Sequence, residues 1–148
     1  MGTTGPRMAL AALSALAATT VFTAPADATV FENHISVRQD AHIGDDDTVT
    51  LSGAYVCSDP SPVGVQIATF LAQDGTRLGT TAKGEVICDG HEHEWQSTAS
   101  MRYTKGLHAG EARAEARLEV VRTGGGLMPK AIDTVAQDEQ EVELFDHR

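Results

Sequence analysis

The sequence predicts an all-β protein: a single antiparallel β-sandwich of about seven strands, immunoglobulin-like in arrangement and held by one disulfide. Three observations carry this reading. Apolar residues alternate with period two in several segments, most cleanly over 48–57, TVTLSGAYVC. Turn dipeptides that favour positive φ, Asp74-Gly75 and Asp89-Gly90, separate those segments. The one stretch with helix-forming composition, 111–121, alternates as well.

Residues 1–28 lie outside that fold. Arg7 precedes an apolar run over 8–22, and Ala26-Asp27-Ala28 ends it with small residues at a cleavage spacing. This is the pattern of an export signal. A run of about 15 residues is short for a membrane span. Residues 29–148 are therefore expected to form one secreted domain. Arg7 and Asp27 cancel, so that domain keeps the full net charge of −10.

Ile35, Val37 and Ile43 suggest a weak first strand, and Asp45-Asp46-Asp47 a turn. In 48–57, Val49, Leu51, Tyr55 and Cys57 share one face with Gly53 between them. The loop SDPSP follows. In 63–73, Val63, Val65, Ile67, Thr69 and Leu71 share a face. An excursion over 77–88 ends at Cys88. From His91 to about Met101, residues His93, Trp95, Ser97, Ala99 and Met101 lie on one side. Over 111–121, helical geometry would stack Glu111 with Glu115 and Glu119, and Arg113 with Arg117, at like-charge i,i+4 spacing. A strand instead puts Ala112, Ala114, Ala116, Leu118 and Val120 on one face. In the last strand Ile132, Thr134, Ala136, Val142 and Leu144 take even positions, and Asp138 and Gln140 interrupt them. A bulge or a change of partner is expected there.

Cys57 and Cys88 are the only cysteines, and outside the cell they are expected to pair. Closing a loop of about 30 residues stabilises a fold by about 3–4 kcal/mol on the chain-entropy model. His91 and His93 project to one side of a strand and are weak candidates for Zn²⁺ or Cu²⁺, with His108 or a carboxylate needed as third ligand. A polar strand entry, with His93 near Trp95, is the plainer expectation, so no metal or cofactor is assigned. Asp45, Asp46 and Asp47 are too few oxygens for Ca²⁺ and are read as a solvated turn. Trp95 is in phase with Ala99 and Met101 and is expected in the core. No nucleophile elbow, free thiol or phosphate loop is present, so no catalytic residue is assigned.

The ordered series Thr48-Val49-Thr50-Leu51-Ser52-Gly53, Tyr55, Cys57, Cys88-Asp89-Gly90, His93, Trp95, Gly110, Ala112-Arg113-Ala114-Glu115-Ala116, Ala136-Gln137-Asp138 and Val142-Glu143-Leu144 resembles a family. It is that of short exported actinobacterial proteins catalogued as domain of unknown function 6299, covering about residues 30–145. The resemblance implies a signal peptide, one disulfide and a compact β domain, and no activity.

A pI near 4.8 and the lack of any basic run argue against nucleic acid or anionic lipid as partner. The expected function is that of a secreted, non-enzymatic binding module. It is expected to be monomeric and to meet an extracellular protein or a cell-wall component through loops around 58–62, 74–84 and 123–131. The alternatives are a secreted inhibitor of a hydrolase acting through 123–130, a metal-binding protein using His91 and His93, and a small hydrolase built from scattered carboxylates.

Overall fold

A computed structural model describes residues 32–58, 64–123 and 129–148. The export signal expected over 1–28 and most of the loops at 58–62 and 123–131 fall outside them. The described residues are all-β, with eight strands: β1 His34–Val37, β2 Asp40–Ile43, β3 Thr48–Val56, β4 Val65–Gln73, β5 Thr76–Thr81, β6 Glu92–Ser100, β7 Gly110–Thr123 and β8 Pro129–Asp146.

The strands form one hydrogen-bonded sheet in the order β1-β3-β2-β8-β7-β4-β5, with β6 on the other edge of β3. An isolated bridge, Ala82 to Ser97, joins the β5 side to β6. The path of strands thus turns back on itself around one core.

The strand count exceeds the expected seven because the first strand is broken. β1 pairs with β3 from His34↔Val56 to Val37↔Gly53, and pairing resumes only at His42↔Thr50. Residues 38–41 therefore face only two residues of β3. The surplus lets β2 step sideways and pair in parallel with β8, from Asp40↔Glu143 to Ile43↔Asp146. This one parallel pair departs from the expected all-antiparallel arrangement. The loop expected over 74–84 is corrected too. Asp74-Gly75 is a tight turn, and Thr76–Thr81 is strand β5, paired along β4.

Alternation places the core. Val49, Leu51 and Tyr55 of β3, Ile67 and Leu71 of β4, Trp95 of β6, Ala112 through Leu118 at even positions of β7, and Val142 and Leu144 of β8 share one buried cluster. Burial of such side chains contributes about 25 cal/mol per Å² of apolar surface removed from water. Trp95 lies opposite Gly53 in the β3–β6 ladder. A Cβ at Gly53 would stand 1.9 Å from the Ser36 carbonyl oxygen and 2.7 Å from the Trp95 ring. Glycine is required there by space. Trp95 Nε1 donates to Ser36 O at 3.1 Å, which satisfies its one polar atom inside the core.

The irregularity expected at Asp138 and Gln140 is found earlier. Leu118 pairs with Ala136 and Glu119 with Thr134, so Val135 is the extra residue. The bulge inverts the facing of what precedes it, and Ile132 is consequently exposed. Asp138 keeps regular register, and its carboxylate accepts from Val37 N at 2.8 Å, where β1 ends.

Candidate functional site

The turns gather at two ends of the molecule. At one end lie Cys57, the 82–91 connection and the start of β6. At the other lie the β2–β3 turn, the β4–β5 turn, the β6–β7 loop and the last residues of the chain.

Cys57 and Cys88 are joined as a disulfide. Beside it, Asp89 Oδ1 accepts from the backbone N–H of His91 at 2.9 Å and from His93 Nε2 at 2.8 Å, and His91 Nδ1 stands 3.6 Å away. The His91 N–H first, and the His93 bond second, hold the Asp89 carboxyl below its usual value. His93 packs its ring against Tyr55, 5.6 Å between centroids, and not against Trp95 as expected. Tyr55 is buried in turn, and its hydroxyl accepts from Ile87 N at 3.0 Å. The structure therefore does bring a carboxylate to His91 and His93. The donors are turned on one another, however, and among the described residues no three His, Cys, Asp or Glu side chains gather where they could hold a metal ion. His108, the other candidate ligand, lies at the opposite end.

That opposite end holds the candidate site. Nine residues connect β6 to β7, and two of them, Met101 and Leu107, are buried at 5% and 3% exposure. They act as plugs that fasten the loop to the core. Met101 N donates to Asp47 O and Thr104 N to Met101 O, which makes the loop turn tightly. Between the plugs, Arg102, Tyr103 and Lys105 stand in solvent, and Tyr103 is 91% exposed. A tyrosine that has lost almost no contact with water is not there for the core.

The loop forms one wall of a groove of about 580 Å³, whose other walls include Asp46, Asp47 and Arg148. Asp46 Oδ1 accepts from Thr48 N at 3.0 Å, and Asp47 sits at φ 58°, so the triple-aspartate segment is the turn expected from sequence. Arg148 pairs with Asp47 at 2.9 Å and with Asp146 at 2.6 Å. The Arg148 hydrogen bonds hold Asp146 at about 2. Arg102 and Lys105 differ. Among the described residues Arg38, Arg77, Arg113, Arg117, Arg122 and Arg148 all have acidic partners, whereas these two have none.

A clasp secures the loop from behind. Gln73 is 6% exposed, donates to Glu111 O at 3.0 Å and accepts from His108 N at 2.9 Å. His108 Nδ1 lies 2.8 Å from Ala109 O and its Nε2 2.8 Å from Asp74 Oδ2. Both ring nitrogens face acceptors, so the doubly protonated ring fits best. The Ala109 carbonyl, then Asp74, raise the His108 pKa above 6.5.

From sequence no role is assigned to Arg102, Tyr103, Lys105 or Arg148. The signal that could have found them was the polar tetrapeptide Arg102-Tyr103-Thr104-Lys105 between two apolar residues that fall in the core.

These features define a small, disulfide-bonded, all-β domain with one anchored, cation-bearing loop. The chain belongs to the family of unknown function DUF6299, whose model matches residues 31–147, as the resemblance read from its motifs implied. No curated protein matches it. Among solved structures, the Pseudomonas fluorescens alkylpurine DNA glycosylase AlkC bound to DNA containing an abasic site analog aligns at TM-score 0.40 and 11% identity. The alignment covers 78% of this chain and 29% of that one, and a likeness so distant bears on neither fold nor function.

Proposed function

We propose that this is an exported, non-enzymatic recognition module on an immunoglobulin-like frame, and that its recognition surface is the β6–β7 loop. The observation that carries the reading is Tyr103, 91% exposed between two buried anchors and beside a groove of about 580 Å³. An exposed aromatic on a rigidly seated loop gives contact area with little ordering on binding. The groove lies within the size range of small-ligand sites, about 300–1,000 Å³.

The strand order supports the frame. β1, β3 and β6 run side by side, as do β8, β7, β4 and β5. On the proposed frame we read these as strands A-B-E and G-F-C-C′. The disulfide differs, since it joins the end of the B-like strand to the C′–E connection and does not cross between sheets. Its presence supports export, because such bonds persist in oxidising compartments.

The test is binding of the labelled protein to isolated cell wall and to culture-medium proteins, with the Tyr103→Ala variant alongside. Saturable binding lost in the variant is the expected result. Turnover of a defined substrate by the purified protein, abolished by one side-chain change, would replace the reading with an enzymatic one.

A further inference from the structure

We infer that the groove under the β6–β7 loop binds an acidic saccharide, with Arg102 and Lys105 holding its carboxylate and Tyr103 stacking on a neighbouring sugar ring. The inference rests on the reading of that loop as the recognition surface, and it names the ligand class.

The charge argument comes first. The protein carries 21 acids and a net charge of −10, and every described arginine except Arg102 has an acidic partner. Among the described residues Arg102 and Lys105 are cations without such a partner, three positions apart on one loop and lining one groove. Lys83 also lacks an ion pair, but it lies beside Gln96, midway along β6, and lines a different groove together with Arg38 and Glu94. The groove adds Arg148 and the acids Asp46 and Asp47, and Arg148 is met by both Asp47 and Asp146, so the cations left without an acidic partner there are Arg102 and Lys105. Both acids are engaged, Asp47 by Arg148 and Asp46 by the Thr48 N–H. At physiological salt, charges more than about 8 Å away are largely screened. The groove's own charges therefore govern what enters it. A planar guanidinium with free donors pairs readily with a carboxylate.

The remaining chemistry selects a sugar over an acidic peptide. Protein interfaces are built around buried apolar anchors. Here the apolar residues of the loop, Met101 and Leu107, are already spent in the core. What the groove offers is a mixture of polar donors and acceptors, and the exposed ring of Tyr103 stands on the same loop, next in sequence to the groove-lining Arg102. Sugar rings present C–H faces that lie on an aromatic ring and hydroxyls that both donate and accept. An uncharged sugar would satisfy the ring and leave Arg102 and Lys105 unused, so the acid group belongs to the inference.

The test is an amide-resonance titration of the protein with three probes: a uronic-acid trisaccharide, a neutral glucose trisaccharide and triglutamate. The uronic-acid probe is expected to shift residues 102–105 and Arg148. The neutral probe should bind about tenfold more weakly or worse, since hydrogen bonds to charged groups are the stronger kind. Arg102→Gln with Lys105→Gln should weaken the acidic sugar by about tenfold or more and leave the neutral one unchanged. Tyr103→Ala should weaken both sugars. All three positions are exposed, so the variants keep the spectrum of the core. Equal binding of the neutral sugar, equal binding of triglutamate, or no response of the loop to any probe would overturn the inference. If Tyr103→Ala abolishes wall or protein binding while no uronic-acid probe binds, the ligand class falls and the recognition surface stands. If nothing depends on Tyr103, both fall.

Discussion

The two ends of this fold are held by different forces. At the Cys57–Cys88 end the restraint is covalent. Asp89, His91, His93 and Tyr55 pack around it, and their polar atoms are turned on one another. At the opposite end no covalent bond holds the β6–β7 loop. Two apolar plugs, the buried Gln73 and the His108–Asp74 pair do so, and the loop's cations face water. The comparison shows how one small domain separates stability from recognition. Groups that satisfy each other make a firm joint, and groups left unsatisfied at a firm place make a surface.

The covalent end supplies the largest expected effect. Replacing Cys57 and Cys88 together by alanine should lower stability by about 3–4 kcal/mol, because the loop they close spans 31 residues. Denaturant unfolding measures this. Hydrogen exchange should then rise first in 82–91 and at the start of β6, while the amides of 101–109 keep their protection until global unfolding. Faster exchange at both ends together would show that the disulfide secures the whole sheet and not one end of it.

Gln73→Met sharpens the comparison from the other side. It keeps the apolar stem and removes both hydrogen bonds, leaving the His108 N–H and the Glu111 carbonyl without the partner they have now. Stranding such groups is expected to destabilise by about 1–3 kcal/mol. Exchange should rise at His108 and through the β6–β7 loop, with the disulfide end unaffected.

Much of this architecture was legible in the sequence, for a simple physical reason. A strand with one buried face must alternate, and β3, β4, β6 and β7 do. The like-charge spacing of Glu111, Arg113, Glu115 and Arg117 argued against a helix, and two cysteines allowed one pairing. Trp95 was legible as core from its phase. The break between β1 and β2 was not, because Arg38-Gln39 carries no turn residue and the step follows from pairing with β8, a hundred residues on. The Val135 bulge was equally hidden, since it reverses the facing of Ile132 without altering the composition. The groove was least legible of all. Asp47 meets Arg148 only because β2 and β8 run in parallel, and no local pattern records that.

The ends should also respond oppositely to pH. The folded pKa of Asp89 lies below 3.8, so its contribution is present above that value and is lost as pH falls through the folded pKa. The folded pKa of His108 lies above 6.5, so its contribution is full below that value and is lost as pH rises through the folded pKa. Thermal melts of Asp89→Asn and His108→Gln beside the parent chain read this. The Asp89 difference should shrink as pH falls through its lowered folded pKa, and the His108 difference as pH rises through its raised one. A His108 difference that grows with pH would mean that the neutral ring is the form that holds the loop.

The smallest expected effect is the most discriminating. Tyr103→Ala should change stability by less than about 0.5 kcal/mol, the range of surface substitutions that touch no special feature. The ring is 91% exposed and enters no ring contact among the described residues, so its removal opens no cavity. A stability loss as large as that of Gln73→Met would place Tyr103 among the plugs with Met101 and Leu107, and would remove the reason to regard it as a surface. A neutral result leaves an aromatic side chain that the fold does not need, held by a loop that the fold takes pains to anchor. Denaturant midpoints of the two variants, measured side by side, separate these outcomes without knowledge of any ligand.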